Sequence, residues 1–352
     1  MRPLSRTAAL LTCAAGVLLS LVPAAAQEQF AQEQFQVSAE TDSQRLAPLT
    51  VNFRAQVSSG TDVRWNFGDG QAAQGRQVTH TYYQPGHYVA AVNLSRGRLP
   101  LGQSQLPIEV KSQGQERAKL VVLLGLDNVL LSDVGSVVYR PYQPHYSLNG
   151  QALDDRGSGR VTAALQPGTN TASLSLSGVG GPLKRSVSFT LPSSVQTSAV
   201  YEDQVLRAIN LLRTSRYNCA TGRTDGVARA PLTRSRVLDR AALAQALAMP
   251  AAGFVNHVSE LDGSSPAQRI AAAGYPNANT AENLAVGQPT PAEAVSDWLN
   301  SPGHCASIMG DYTETGLSYV RVPGSEYLHH WVQEFGKPQR AAAAQSAKAD
   351  GK

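Results

Sequence analysis

At 352 residues and 42% hydrophobic content, the chain carries enough apolar material for two or three separately cored domains, which excludes a wholly disordered protein. The formal charge is +4, falling to +2 (28 basic against 26 acidic residues) once Arg2 and Arg6 leave with a leader. So even a balance is too small to imply nucleic acid or an anionic surface as a partner, and no nucleic-acid partner is expected.

Arg2 and Arg6 precede an apolar run from Ala8 to Val22, and Pro23-Ala24-Ala25-Ala26 supplies small residues for cleavage, so residues 1–26 read as a signal peptide. The run is shorter than the ~18–20 residues of a spanning helix, and no transmembrane span is expected in the mature chain. Cys13 follows Leu10, Leu11 and Thr12 rather than the small residue that lipid attachment prefers. The expected destination is the periplasm, the cell envelope or the medium. Export leaves Cys219 and Cys305, and one disulfide is the simplest expectation in an oxidising compartment. Two buried free thiols or a shared metal site are the alternatives, the second weakened because neither cysteine begins a C-x-x-C pair.

Residues 27–36 repeat Ala-Gln-Glu-Gln-Phe without apolar periodicity and read as a spacer. From 37 to 111 short alternating strands follow, among them Leu49–Phe53, Val63–Phe67 and Tyr88–Val92, in the pattern of an antiparallel sandwich. Trp65 and Phe67 alternate inward, Gly68-Asp69-Gly70 turns the chain, and Tyr82 can anchor a strand corner. Asp69 reads better as a turn former than as a calcium ligand. Trp65-Asn-Phe-Gly-Asp-Gly70, His80-Thr-Tyr82 and Pro85-Gly-His-Tyr88 together resemble the PKD domain. Residues 112–197 are again β-rich, with strands expected at Leu120–Leu124, Ser136–Tyr139, Val161–Leu165, Thr171–Leu176 and Val187–Leu191. The Gln166–Asn170 turn resembles the late hairpin of bacterial Ig-like modules, and His145 is expected in a solvated loop.

At Ser198 the apolar period changes from two to about 3.6. Val205, Leu206, Ile209 and Leu212 form one stripe behind Glu202 and Asp203; a second helix spans Val237–Met249 and stops at Pro250; a third runs from Pro291 to Leu299. Strand-like alternation closes the domain at Thr315–Val320 and Tyr327–Phe335, before an Ala/Gln/Lys-rich tail, 338–352, expected to be disordered. Helices first and strands last give an α+β sandwich over 198–337.

In this last domain Asn256-His257, Gly274-Tyr275, Ala281-Glu-Asn-Leu-Ala285, Trp298-Leu-Asn-Ser-Pro-Gly-His-Cys305 and Trp331-Val-Gln-Glu-Phe-Gly336 follow in order. Together they resemble the CAP superfamily (the SCP domain of cysteine-rich secretory, antigen-5 and pathogenesis-related proteins), in its bacterial secreted branch. The strand alternation gives two all-β Ig-like sandwiches, the first PKD-like, and the resemblance implies an α-β-α CAP domain after them. It also implies that His257, Glu282 and His304 converge in a central cleft. Two imidazoles and a carboxylate suit Zn²⁺ or another divalent cation, and equally suit an ordered water or a polar ligand without metal. Asn283, His330 and Gln333 are candidates for the surrounding shell. A second cleft glutamate found in many animal and plant members is replaced by Ser301, which leaves the set sparse for hydrolysis.

Three functions fit these residues. The first is an envelope or extracellular module, borne on β-sandwich spacers, that binds lipid, glycan, peptide or divalent metal. The second is a metal-dependent hydrolase, peptidase or nuclease, lacking the H-E-x-x-H motif, a nucleophile elbow and a basic groove. The third is an adhesin with a vestigial cleft. The expected partners are an envelope polymer, a lipid or an extracellular protein.

Overall fold

The computed structural model describes residues 9–12, 35–97, 99–276 and 278–338. The leader, the spacer and the C-terminal tail expected from the sequence therefore lie outside the described residues, apart from Ala9–Thr12, Phe35, Gln36 and Pro338. The chain divides into two compact units: one runs up to Arg117 and includes Val137–Tyr142 and Ser177–Gly181, and the other comprises Ala118–Ser136, Gln143–Leu176 and the chain from Pro182. Among the described residues, no helix is long and apolar enough to cross a membrane.

The first unit contains β1 (Ala9–Thr12), β2 (Gln36–Thr41), β3 (Leu49–Gln56), β4 (Asp62–Asn66), β5 (Ala72–Gln74), β6 (Gln77–Tyr82), β7 (Gly86–Arg96) and β8 (Leu99–Val110). They form two sheets, ordered β1-β2-β3-β6 and β5-β4-β7-β8. Alternation places Leu49, Val51 and Phe53 of one sheet and Trp65, Val92 and Ile108 of the other in a common core. Trp65 is 1% exposed and satisfies its indole by donating to the Gly75 carbonyl at 3.0 Å. Tyr82 Oη donates to the Phe67 carbonyl at 2.9 Å, anchoring the corner expected of it. Asp69 accepts from the Gln71 amide at 3.1 Å and pairs with His80 Nε2 at 2.7 Å, so its carboxylate braces the turn. Gly68, at φ 81°, passes so close to Val89 that a Cβ there would meet the Val89 carbonyl oxygen at 2.7 Å.

The second unit opens with β9 (Val121–Leu124), β10 (Asn128–Ser132), β11 (His145–Leu148), β12 (Gln151–Leu153), β13 (Arg160–Ala164), β14 (Thr169–Gly178) and β15 (Gly181–Thr190). These make sheets ordered β13-β10-β9 and β12-β11-β14-β15. Ser136–Tyr139, expected as a strand, pairs only through an isolated bridge of Val137 to Arg117, its valines being buried without a ladder. His145 is exposed as expected, although it begins β11 rather than sitting in a loop.

The remaining elements are β16 (Gln196–Thr197), α1 (Ala199–Thr214), β17 (Thr233–Arg234), α2 (Arg236–Ala252), α3 (Pro266–Ala273), β18 (Ala278–Val286), α4 (Pro291–Asn300), α5 (Pro302–Ile308), β19 (Glu314–Arg321) and β20 (His329–Pro338). Ser198 caps α1 by accepting from the Tyr201 amide, and Val205 and Ile209 are its buried stripe. The sheet runs β16-β19-β20-β18, with β17 parallel to β19, so β18 lies at an edge. One face, through Trp331, Phe335 and Tyr319, packs on Val205 and Ile209 of α1, Trp298 of α4 and Ile308 of α5. The other face carries α2, giving an α-β-α sandwich. α2 and α3 are covered in turn by β9: Val121 and Leu123 share a core with Leu238, Ala241 and Ile270. Asp262 ties this contact by accepting from the Val122 amide at 2.7 Å, while Lys119 Nζ donates to its carbonyl at 2.8 Å. The second β segment and the helices therefore share one core.

α2 does not stop at Pro250. It continues to Ala252 and ends on Gly253 in the left-handed region, with the Gly253 amide donating to Met249. Proline in a last turn forfeits a single backbone bond, and buried Met249 holds that turn to the core.

Candidate functional site

The candidate site residues gather around edge strand β18. Along β18 the side chains alternate: Glu282 lies on the face toward α2 and α3, opposite Glu334 of β20, and Asn283 lies on the face toward α5, opposite Gln333. A ladder running from Ala278 to Val286 makes Glu282 part of a strand.

His257 follows α2 on a bend, and its loop is fastened by Gln245 Nε2 donating to the Asn256 carbonyl at 2.6 Å. His257 Nδ1 donates to Glu282 Oε1 at 2.7 Å. Behind the carboxylate stands Arg269, projected from α3 by a capping box of Ser265 and Gln268. Its Nη2 donates to Glu282 Oε2 at 2.5 Å and to the His257 carbonyl at 3.0 Å, and Nη1 donates to the Ser264 carbonyl at 2.8 Å. The Arg269 and Glu282 side chains are 2% and 1% exposed, whereas that of His257 is 49% exposed. A buried ion pair thus presents one half-exposed imidazole, fixed through its Nδ1.

His304 arrives from the other layer. Ser301 stands at the N-terminal boundary of α5 and Pro302 occupies its first turn, the position where proline favours a helix start. Asn283 Nδ2 donates to the His304 carbonyl at 3.2 Å, and the next residue, Cys305, is bonded to Cys219 with Cα atoms 5.9 Å apart. The His257 and His304 ring centroids are 6.2 Å apart. Burial, and then the neighbouring His257, push the His304 pKa below the ordinary histidine value, so its ring is neutral at neutral pH. Its Nδ1 is buried without a protein partner.

These residues do not fit a bound divalent cation as arranged. Both Glu282 oxygens are engaged, and Arg269 sets a permanent positive charge against one of them. That leaves two imidazoles, where zinc sites use three or four protein ligands. Among the described residues, no group of three or more His, Cys, Asp or Glu side chains is placed to hold a metal ion. The chemistry on offer is hydrogen bonding by two imidazoles, that of His257 held over a fixed carboxylate.

Of the outer candidates, Asn283 touches the site through His304. Gln333 Nε2 instead donates to Thr315 Oγ1 at 3.2 Å, and His330 faces Ser325, with Nε2 3.4 Å from its Oγ. Two residues were missed. Arg269 lies in the apolar stretch Pro-Ala-Gln-Arg-Ile-Ala-Ala-Ala, and Glu334 in the strand Trp331–Phe335; in both, a charge inside an otherwise buried run was the available signal. Glu334 is fully buried, and burial followed by the charge of Glu282 holds its carboxyl well above the usual carboxylate range.

Residues 206–335 match the family model for CAP, the cysteine-rich secretory protein family, and residues 34–106 match that for the PKD domain. A curated relative, the YkwD protein of Bacillus subtilis (strain 168), is 30% identical over 153 residues, covering 43% of this chain and 52% of that protein. The chain thus spans about half the length of the curated relative it matches. Among solved structures, an outer surface protein from Borrelia burgdorferi is 24% identical over 42% of this chain and 100% of that one, with a TM-score of 0.33. An extracellular protein containing an SCP domain from Bacillus anthracis str. Ames is 13% identical over 88% of this chain and 87% of that one, with a TM-score of 0.32.

Proposed function

Because residues 206–335 are a CAP domain and residues 34–106 a PKD domain, we propose that this is an exported, extracellular or cell-envelope protein whose CAP cleft binds a polar ligand, displayed on β-sandwich spacers. One observation carries this reading: Arg269 and Glu282 form a buried ion pair whose outward end is the half-exposed ring of His257. Burying two charges is costly, and a similar volume of apolar side chains often stabilises a fold as well or better. A pair kept at the base of a solvent-facing imidazole is therefore better explained by what that imidazole holds than by packing, which disfavours a vestigial cleft. His257 Nε2 and the neutral His304 ring supply acceptors and donors for hydroxyl, amide or headgroup oxygen.

The ligand class is an envelope polymer, a lipid headgroup or an extracellular peptide. Co-sedimentation of the mature protein with isolated envelope polymer and with lipid vesicles tests the reading: wild type should be retained by one of them, and His257→Ala and Glu282→Gln released from it. Retention of all three proteins alike would sink the idea. A hydrolytic reading has one point in its favour, since a carboxylate-oriented imidazole is what a general base requires. Its signature is soluble product released from the retained polymer by wild type and not by His257→Ala.

A further inference from the structure

A groove of about 730 Å³ lies within the first unit, walled by β6, the residues that follow it and the segment Tyr139–Pro141. Tyr139, Arg140 and Pro141 come from outside the 34–106 PKD match, so the wall extends beyond that module. Three half-buried tyrosines, Tyr83, Tyr88 and Tyr139, line it. Two of them have hydroxyls tied to the backbone. Tyr88 Oη donates to the Gln84 carbonyl at 2.9 Å, and Tyr139 Oη donates to the Gly114 carbonyl at 2.7 Å while accepting from the Gln113 amide at 2.9 Å. These rings are therefore set before anything binds, and a ligand that stacks on them does not have to order them.

The rest of the wall is polar. Gln71, Gln84 and Arg140 are exposed, and Asp69 is fixed by His80, whose Nε2 lies 2.7 Å from its Oδ2 and whose ring stacks on Phe67 with centroids 4.0 Å apart. Asp69 and Arg140 carry opposite formal charges, which cancel and suit an uncharged ligand. Among the described residues of the wall there is no aliphatic side chain other than Pro141, so a peptide laid along it finds no apolar pockets for its side chains. A proline-rich segment could stack on the tyrosines, but it brings carbonyl acceptors without N–H donors and leaves the Asp69 carboxylate and the glutamine oxygens unanswered. A sugar ring meets both demands: its C–H face lies on an aromatic ring, and its hydroxyls both donate and accept.

We propose that this groove binds an uncharged oligosaccharide, its sugar rings stacked on Tyr83, Tyr88 and Tyr139 and its hydroxyls bonded to Asp69, Gln84 and Arg140. The first unit then engages a polymer itself rather than only carrying the CAP domain. The site is independent of the His257 cleft, and either can fail without the other.

Cellohexaose, maltohexaose and the hexamer of N-acetylglucosamine are the uncharged probes; hexagalacturonate and end-capped hexaproline test for an anionic polymer and a peptide. Each is titrated into the full mature chain while the amide shifts of Gln71, Thr81 and Gln84 are followed by NMR. At least one uncharged hexamer should bind more tightly than hexagalacturonate and hexaproline. Tyr83→Ala should weaken its binding about 2- to 10-fold, the range of one aromatic contact. Gln84→Ala, made at an exposed position whose backbone carbonyl still receives Tyr88, should weaken it by a similar factor, that of one net hydrogen bond. His257→Ala should change nothing. Absence of shifts at these amides with every uncharged hexamer, tighter binding of hexagalacturonate or hexaproline, or affinities unchanged in both variants would overturn the proposal.

Discussion

Replacing Glu334 with glutamine should make the CAP unit more stable at neutral pH and leave it nearly unchanged near pH 4.5. Glu334 faces Glu282 across the β18–β20 ladder, and neither of its oxygens has a donor of its own. Burial raises its pKa most, the Glu282 charge adds to this, and Arg269 opposes it. The folded protein thus keeps a proton on Glu334 that the unfolded chain releases above the ordinary value of 4.5. From that pH upward the unfolded state binds fewer protons than the folded one, so this group's contribution falls by up to about 1.4 kcal/mol per pH unit until the folded carboxyl itself ionises. Two units of pH then cost at most about 2.7 kcal/mol, or roughly 5–10 °C in Tm for a unit of this size. His330 works the other way. Its pKa, lowered to about 4, makes its own contribution rise between that pH and 6.5, so the wild-type profile is a partial cancellation. The assay is therefore the difference between Glu334→Gln and wild type, by urea unfolding at half-unit steps from pH 4.5 to 7. A difference growing toward neutral pH in favour of glutamine is expected; a flat difference would mean that Glu334 titrates as an ordinary carboxyl and that the buried-pair reasoning is wrong.

Arg269→Met should cost about 3–5 kcal/mol in the same assay, because it strands the buried Glu282 charge, and Glu282→Gln in that background should restore part of the loss. Cys219→Ser should remove at most ~4–5 kcal/mol, the chain-entropy value for a bond spanning 86 residues. The unreduced wild type should yield one cross-linked peptide pair by mass spectrometry. Tyr82→Phe should cost about 1–2 kcal/mol in the PKD unit by leaving the Phe67 carbonyl unpaired, with no effect on retention by any ligand of the CAP cleft.

What the sequence disclosed depends on how local the physics is. The stripe of α1 and the inward alternation of Trp65 and Phe67 are set by neighbours within a few residues, and they were readable. His257, Glu282 and His304 came from ordered motifs rather than periodicity, since they lie on a loop, a strand and a separate helix. Arg269 and Glu334 escaped because a charge on a helix or strand ordinarily faces water. Only the assembled fold brings Arg269 of α3 and Glu334 of β20 to the same carboxylate. Pro250 misled because proline breaks a helix in its interior but is tolerated in the last turn, and which applies depends on where packing ends the helix.

The second buried arginine of the CAP unit sharpens the reading of the cleft. Arg213 bonds four backbone carbonyls, those of Ala230, Ile308, Gly310 and Tyr312, at 2.6–3.0 Å. It neutralises no buried carboxylate there, and its positive charge meets the C-terminal end of α5, where a cation stabilises the helix dipole. α5 has 7 residues, too few to hold itself helical in water. Three separate devices hold it: Arg213 at its end, the Cys219–Cys305 bond at its middle, and Asn283 on the carbonyl of His304. Two of these act at His304 or at the residue beside it. Packing alone would require only that Ile308 stay in the core; fixing the backbone at His304 fixes instead where its ring stands relative to His257. Loosening α5 through Cys219→Ser should therefore weaken ligand retention even under conditions where the domain remains folded, whereas a bond serving stability alone would leave retention unchanged until unfolding.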